Sequence, residues 1–184
     1  LYFFALCNLI IASSALVLGG ILEPVSRALN VSLAATGQAM TAYALGAAVV
    51  APMLILITGR WNRRATILLA LALFTLGSLV SALAPSLSWL VVGRVIMGAG
   101  VMFTAAASAT AVSLAIANLG QSVSYAVGVP IGTWIGLQLG WRWPLWLAAG
   151  ASLLVWLLAM RLLPRHIQAT VATGSLRSAA AQGG

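Results

Sequence analysis

Between Trp89 and Leu139 the chain runs for 51 residues with one charged side chain, Arg94. Soluble domains carry about 25% charged residues, spread so that every helix or strand keeps a wet face. A run of this length has no wet face. The rest of the chain is similar, with 5% of its 184 residues charged and 62% hydrophobic. Ten charged residues cannot clothe a soluble core of this size. The composition therefore argues against a soluble enzyme, a disordered tail and a nucleic-acid module, and for an all-α integral membrane chain.

The charge balance sharpens this reading. All nine basic residues are Arg, Glu23 is the sole acid, and the formal net charge is +8. The arginines lie at 27, 60, 63, 64, 94, 142, 161, 165 and 177, mostly between apolar runs. They form no single basic patch of the kind nucleic acid requires. Cys7 and His166 are single, so a disulfide, a multi-cysteine metal site and a hydrolytic triad lack their parts. No catalytic residue, metal or cofactor is expected. The chain opens with Leu inside an apolar run and reads as a fragment or trimmed chain rather than a signal peptide.

A bilayer core takes about 20 apolar residues per helix. Spans are expected at 1–22, 35–58 and 65–83, two more within 89–139, and a sixth at 144–163. Glu23-Pro24 opens a polar loop, and Ser32 or Thr36 caps the second helix. Gly59-Arg-Trp-Asn-Arg-Arg64 is a tight basic loop, and Ala84-Pro-Ser-Leu-Ser88 a short turn. With six spans, Arg60, Arg63, Arg64, Arg161, Arg165 and Arg177 share one side, and Arg27 and Arg142 the other. The positive-inside rule places the first group in the cytoplasm of a multi-pass cell-membrane protein. Between spans four and five no charge occurs from Ala105 to Gly120, and Asn118 and Gly120 are the turn formers. Either that turn is very tight or residues are missing there; the second is the expectation.

The chain also matches itself. Tyr43-Ala-Leu-Gly46 recurs 82 positions later as Tyr125-Ala-Val-Gly128, and Arg60-Trp61 as Arg142-Trp143. The paired segments belong to spans two and five, which cross the membrane in opposite directions. This is the pattern of a 3+3 inverted repeat. It divides residues 1–163 into repeat one at 1–83 and repeat two at 89–163, with 164–184 as a cytoplasmic tail or linker.

Three motifs carry a family resemblance. They are Gly128-Val-Pro-Ile-Gly132-Thr-Trp-Ile-Gly136 with Gly140-Trp-Arg-Trp143, Thr58-Gly-Arg-Trp-Asn-Arg-Arg64, and Val92-Gly-Arg94-Val-Ile-Met-Gly98-Ala-Gly100. On these the chain resembles the N-terminal six-helix half of a major facilitator superfamily transporter, of the arabinose-efflux-permease-like, drug:proton antiporter type. The family loop carries Asp where Gly59 stands and Gly where Asn62 stands. Its basic loop between spans four and five has no counterpart here.

The resemblance implies proton-coupled efflux of a small solute or drug by alternating access. The partners implied are the lipid bilayer, a small-molecule substrate and either a missing C-terminal half or a second copy. It also implies that spans one, two, four and five line the cavity. Arg94 is then a cavity-facing cation for an anionic substrate or a coupling carboxylate; the alternative is snorkelling to the interface. Asn8, Gln38, Thr41 and Tyr125 are cavity candidates, against ordinary helix–helix hydrogen bonding. Gly128, Gly132, Gly136 and Gly140, with Pro130, form a bent smooth ridge. Such a ridge either gates one half against the other or packs statically on a neighbouring helix. Gly59, Arg60, Arg63 and Arg64 are anchors on the cytoplasmic face, or a gate gripping a helix C-terminus. The competing function is a non-transporting six-helix scaffold, or an inert half that binds partner helices.

Overall fold

Residues 2–59, 61–101 and 111–162 are described in a computed structural model. Arg60, the segment 102–110 and the tail from 163 lie outside them, and with them part of the expected connection between spans four and five. The described residues are helical almost throughout. In order they form α1 (Tyr2–Gly20), α2 (Leu22–Leu29), α3 (Leu33–Leu45), a π-helical turn (Gly46–Val50), α4 (Ala51–Thr58), α5 (Arg63–Leu83) and α6 (Leu87–Ala99). After the undescribed segment come α7 (Ala111–Val123), a second π-helical turn (Ser124–Gly128), α8 (Val129–Leu139) and α9 (Trp143–Leu162).

Three continuous helical stretches are long and apolar enough to cross a bilayer. They are Leu33–Thr58 at mean hydropathy 2.1, Arg64–Leu83 at 2.2 and Trp143–Arg161 at 1.7. The α1–α2 pair makes a fourth if it counts as one span, bent by 66°. Helix α6 is apolar but shorter. The expected bounds 35–58, 65–83 and 144–163 thus agree with the helices to within a residue or two. The count of six spans is taken up below as a proposal.

Two expected loops are helical instead. Glu23-Pro24 opens no loop: both residues lie in the first turn of α2. Proline is tolerated there because the N–H it lacks would have no helical partner. Glu23 and Arg27, four apart, form an exposed ion pair along that helix, and Asn30 in the left-handed region ends it. Asn118 and Gly120 likewise stand inside α7 and form no turn. Gly120 is buried, and a Cβ there would strike the backbone of Ala5 in α1, its carbonyl carbon at 2.9 Å. It is a packing glycine where the sequence suggested a turn. Ser32 is the cap of α3, its Oγ accepting from the N–H of Ala35 at 3.1 Å; Thr36 is buried one turn later.

Both π-helical turns stand just before a proline, Pro52 and Pro130. A proline withholds an N–H from the carbonyl four residues back. The wider turn adjusts to that loss: the N–H of Ala51 bonds the carbonyl of Gly46, and that of Val129 the carbonyl of Ser124. Short π segments inside α-helices recur at functional sites.

The core forms two clusters. One gathers Cys7 and Ile11 of α1 with Ile67, Leu71 and Phe74 of α5, Met97 of α6 and Val155 of α9. The other gathers Val17, Leu18 and Ile21 with Val25, Ala82, Leu90, Trp141 and Leu145. Helix α5 packs on α6 and α9, α3 on α6, and α1 on α7 and α8.

Candidate functional site

Helix α6 starts at Leu87, so Arg94 sits about 10 Å along it at 1.5 Å per residue. Its side chain is 0% exposed. The guanidinium does not snorkel. It reaches into α1, where Nη1 donates to the carbonyls of Ser14 at 3.1 Å and Ala15 at 3.3 Å. Nε and Nη2 are buried with no hydrogen-bond partner among the described residues. A charged group in this setting retains strong capacity for a further acceptor, since hydrogen bonds to charged groups are worth about 1.5–3 kcal/mol.

Tyr43, on α3, lies within electrostatic reach of both Arg94 and Tyr125. Tyr43 and Tyr125 are the residues matched across the sequence repeat, and the fold brings them to one place. Tyr43 is partly buried, and Tyr125 is 47% exposed, accepting a hydrogen bond from Nε2 of Gln121. Gln38 and Thr41 of α3 are exposed as well. Asn8 is not: it is buried within the packing of α1, at 3% exposure. The structure therefore places Tyr43 within electrostatic reach of both Arg94 and Tyr125 and leaves Asn8 off the exposed surface. Tyr43 was no candidate by itself; its signal was the repeat, which pairs it with Tyr125.

The glycine ridge has a definite partner. A Cβ at Gly128 would collide with Oγ of Ser13, one at Gly132 with Cγ2 of Val17 at 2.5 Å, and one at Gly136 with Cγ2 of Ile21 at 2.6 Å. Positions 13, 17 and 21 are themselves spaced by four, so two ridges meet along α1 and α8. Ser13 also hydrogen-bonds Ser124 at 2.8 Å across this seam. Gly140 plays another part. It has open space around it and a φ of +109°, which glycine alone adopts at no steric cost. It turns the chain out of α8.

A second seam repeats the first. A Cβ at Gly46 would collide with the carbonyl oxygen of Val95, and Gly98 on the same helix presses against the backbone of α3. Gly46 and Gly128 are 82 positions apart, and so are their contacts, Ser13 and Val95. The offset found in the sequence is thus also an offset between contacts.

The arginines near the helix ends act on carbonyls. Arg64 donates from Nη2 to the carbonyl of Met160 at 2.7 Å, near the end of α9. Arg142 donates to the carbonyl of Ala84 at 3.0 Å, just past α5, and lies 5.0 Å from the ring centre of Trp141. Cations are favourable at such C-termini. Arg63 opens α5 and Gly59 follows α4. No group of His, Cys, Asp and Glu among the described residues has metal-binding geometry.

Known proteins place this arrangement. The profile of the Major Facilitator Superfamily matches residues 4–181. The chain belongs to that superfamily. Among its superfamily relatives is the MFS-type transporter YbcL of Bacillus subtilis (strain 168), 31% identical over 171 residues, 87% of this chain and 43% of that protein. Inner membrane transport protein YdhP of Escherichia coli (strain K12) is 32% identical over 146 residues, 73% of this chain and 38% of the relative. A chloramphenicol efflux pump of Mycobacterium tuberculosis (strain ATCC 25618 / H37Rv) is 31% identical over 159 residues, 80% of this chain and 38% of the pump. The structure of the proton:xylose symporter XylE bound to 6-bromo-6-deoxy-D-glucose shares the superfamily fold, with a TM-score of 0.66 at 18% identity. That likeness covers 87% of this chain and 43% of XylE. The chain spans about two fifths of the length of the relatives it matches. These relatives are named as transporters and an efflux pump, not as enzymes.

Proposed function

We propose that this chain forms the N-terminal six-helix half of a secondary transporter that exports a small solute or drug in exchange for protons. In this reading α1 with α2, α3 with α4, α5, α6, α7 with α8, and α9 are the six spans, arranged as two inverted three-helix units. The observation that carries it is the matched pair of seams. The second helix of each unit packs by a glycine on the first helix of the other, Gly46 on Val95 and Gly128 on Ser13. Inverted repeats of this kind underlie alternating access, in which two halves rock about a site at mid-membrane.

Arg94, Tyr43 and Tyr125 form this half's contribution to that site, with Gln38 and Thr41 on its exposed rim. The two free guanidinium nitrogens receive the acceptor that the second half or the solute supplies. Asn8 supports the wall from behind. The ridge of Gly128, Gly132 and Gly136 keeps α8 tight against α1 while Pro130 sets its bend, so this half moves as one body. Arg60, Arg63 and Arg64 anchor the cytoplasmic face, Arg64 through its hydrogen bond to the carbonyl of Met160 near the end of α9. The substrate class follows the similarity to the chloramphenicol efflux pump.

The test is proton-driven uptake into everted membrane vesicles, with chloramphenicol as the probe. Vesicles holding the chain together with a C-terminal six-helix half should accumulate it when energised. Vesicles holding the chain alone should not. No uptake in either preparation would favour the non-transporting scaffold.

A further inference from the structure

We propose that the cavity between α1, α8 and α9 is a hydrocarbon site that takes an acyl chain of a bilayer lipid. The cavity has a volume of about 200 Å³. Its walls include Ser13 and Ser14 of α1, Gly128 at the end of the second π-helical turn, Gly132 of α8, and Leu147 and Ala148 of α9. The glycines explain why it exists. They let α8 approach α1 closely, and they leave no side chains to fill the space beside α9, where Ala148 is also small.

The chemistry of the walls selects the occupant. Among the described residues of the lining, Ser13 and Ser14 alone carry side-chain polar atoms. Both hydroxyls already donate within α1, Ser13 to the carbonyl of Leu9 and Ser14 to that of Ile10, each at 2.8 Å. Ser13 also meets Ser124. No donor is left for a polar ligand. Water needs two to four polar partners to stay in a cavity, and apolar cavities of about 150 Å³ remain dry and accept benzene. This cavity is larger and comparably apolar, so it suits hydrocarbon.

The mouth points to the source. Ile131 and Leu147 border it and are about half exposed, at 53% and 51%. The exposed apolar side of α9 continues from Leu147 to Leu154 and Leu158, with no charge before Arg161. A superfamily member presents such a face to lipid, so acyl chains lie at the opening. The site requires no second half and no particular transported solute. It therefore stands or falls separately from the efflux reading.

The experiment is photolabelling of the full chain in vesicles of phosphatidylcholine bearing a diazirine midway along one acyl chain, with labelled residues mapped by mass spectrometry. Label should concentrate at Leu147 and Ile135 beyond the background at Leu154. Ala148→Phe, which fills the cavity, should abolish the excess while Leu154 stays labelled. Should that variant fail to fold, Ala151→Leu narrows the same space and should give the same loss. Ser14→Ala should leave the label unchanged, because the hydroxyl is engaged within α1. Three results would overturn the proposal. One is uniform label along α9, unaltered by Ala148→Phe or Ala151→Leu. The second is no label at the cavity while Leu154 is labelled, which would mean that protein fills it. The third is loss of label in Ser14→Ala, which would mean a polar occupant.

Discussion

The two glycine seams are related by the repeat but differ in what opposes the glycine, and that difference gives a quantitative test. At Gly46 the obstacle is main chain. A Cβ would meet the Val95 carbonyl, its carbon and Cα both at 3.1 Å. Helix α6 cannot retreat, because Gly93 and Gly100 press it equally closely against α5. At Gly128 the obstacle is the hydroxyl of Ser13, with its Cβ at 3.0 Å. That hydroxyl can rotate away at the loss of its bonds to Ser124 and Leu9. Overpacking costs about 1–3 kcal/mol, and Gly46→Ala should fall at the upper end of that range. Interhelical side-chain bonds in membranes average about 0.6 kcal/mol, so Gly128→Ala should cost about 1 kcal/mol.

Thermal unfolding of the purified chain in detergent, followed by size-exclusion fluorescence, reads both costs. One kcal/mol lowers Tm by about 2–4 °C for a chain of this length. Gly46→Ala should therefore lower it roughly three times as far as Gly128→Ala. In a Ser13→Ala background Gly128→Ala should cost little more, since the colliding hydroxyl and its bonds are already gone. Adding Val95→Ala to Gly46→Ala should restore nothing, since main chain remains. Rescue by Val95→Ala, or an undiminished cost of Gly128→Ala in the Ser13→Ala background, would refute the contact geometry on which the paired seams rest.

Further predictions concern the arginines. Arg94→Ala should abolish proton-driven uptake by the assembled halves while leaving membrane insertion intact; uptake at the full rate would remove Arg94 from the site. Arg94→Lys should recover little of that uptake, because an ammonium lacks the planar fork of a guanidinium; full activity would show that charge alone suffices. Arg142→Ala should lower stability by about 1 kcal/mol through the lost cap on Ala84, read as a fall in Tm; an unchanged Tm would make that hydrogen bond inconsequential.

Legibility in the sequence followed the kind of signal each element carries. The stretches 33–58, 63–83 and 143–162 were readable because long apolar runs ended at polar or glycine-rich connectors. Ser32 was readable as a cap because it precedes an apolar run. Helix α2 was hidden because Glu23-Pro24 resembles a loop opening, and proline in a first helical turn is silent in a pattern search. Gly120 was misread for a related reason: a glycine that ends a helix and one that admits a neighbouring backbone look alike until Ala5 is in place. Arg94 was recognised as a buried cation, but its direction was not. Whether it snorkels or turns inward depends on the α1 carbonyls of Ser14 and Ala15, which lie some 80 residues away in the chain. Tyr43 was visible as a member of the repeat, and Arg142 as a charge of the outer side and a member of the repeat, but neither partner in space was. The reach of Tyr43 to Tyr125 and the hydrogen bond of Arg142 to Ala84 join segments far apart in sequence.

The central claim is that the two repeats cross the membrane in opposite senses as six spans. Single cysteines introduced at Ser26, Trp61, Ser86, Gln138 and Gln168 in a Cys7→Ser background test it directly, with a membrane-impermeant maleimide applied to each side of intact and everted vesicles. The account predicts labelling of positions 26, 86 and 138 from outside and of 61 and 168 from the cytoplasmic side. Labelling of 61 and 86 from the same side, or of 138 from the cytoplasm, would contradict it.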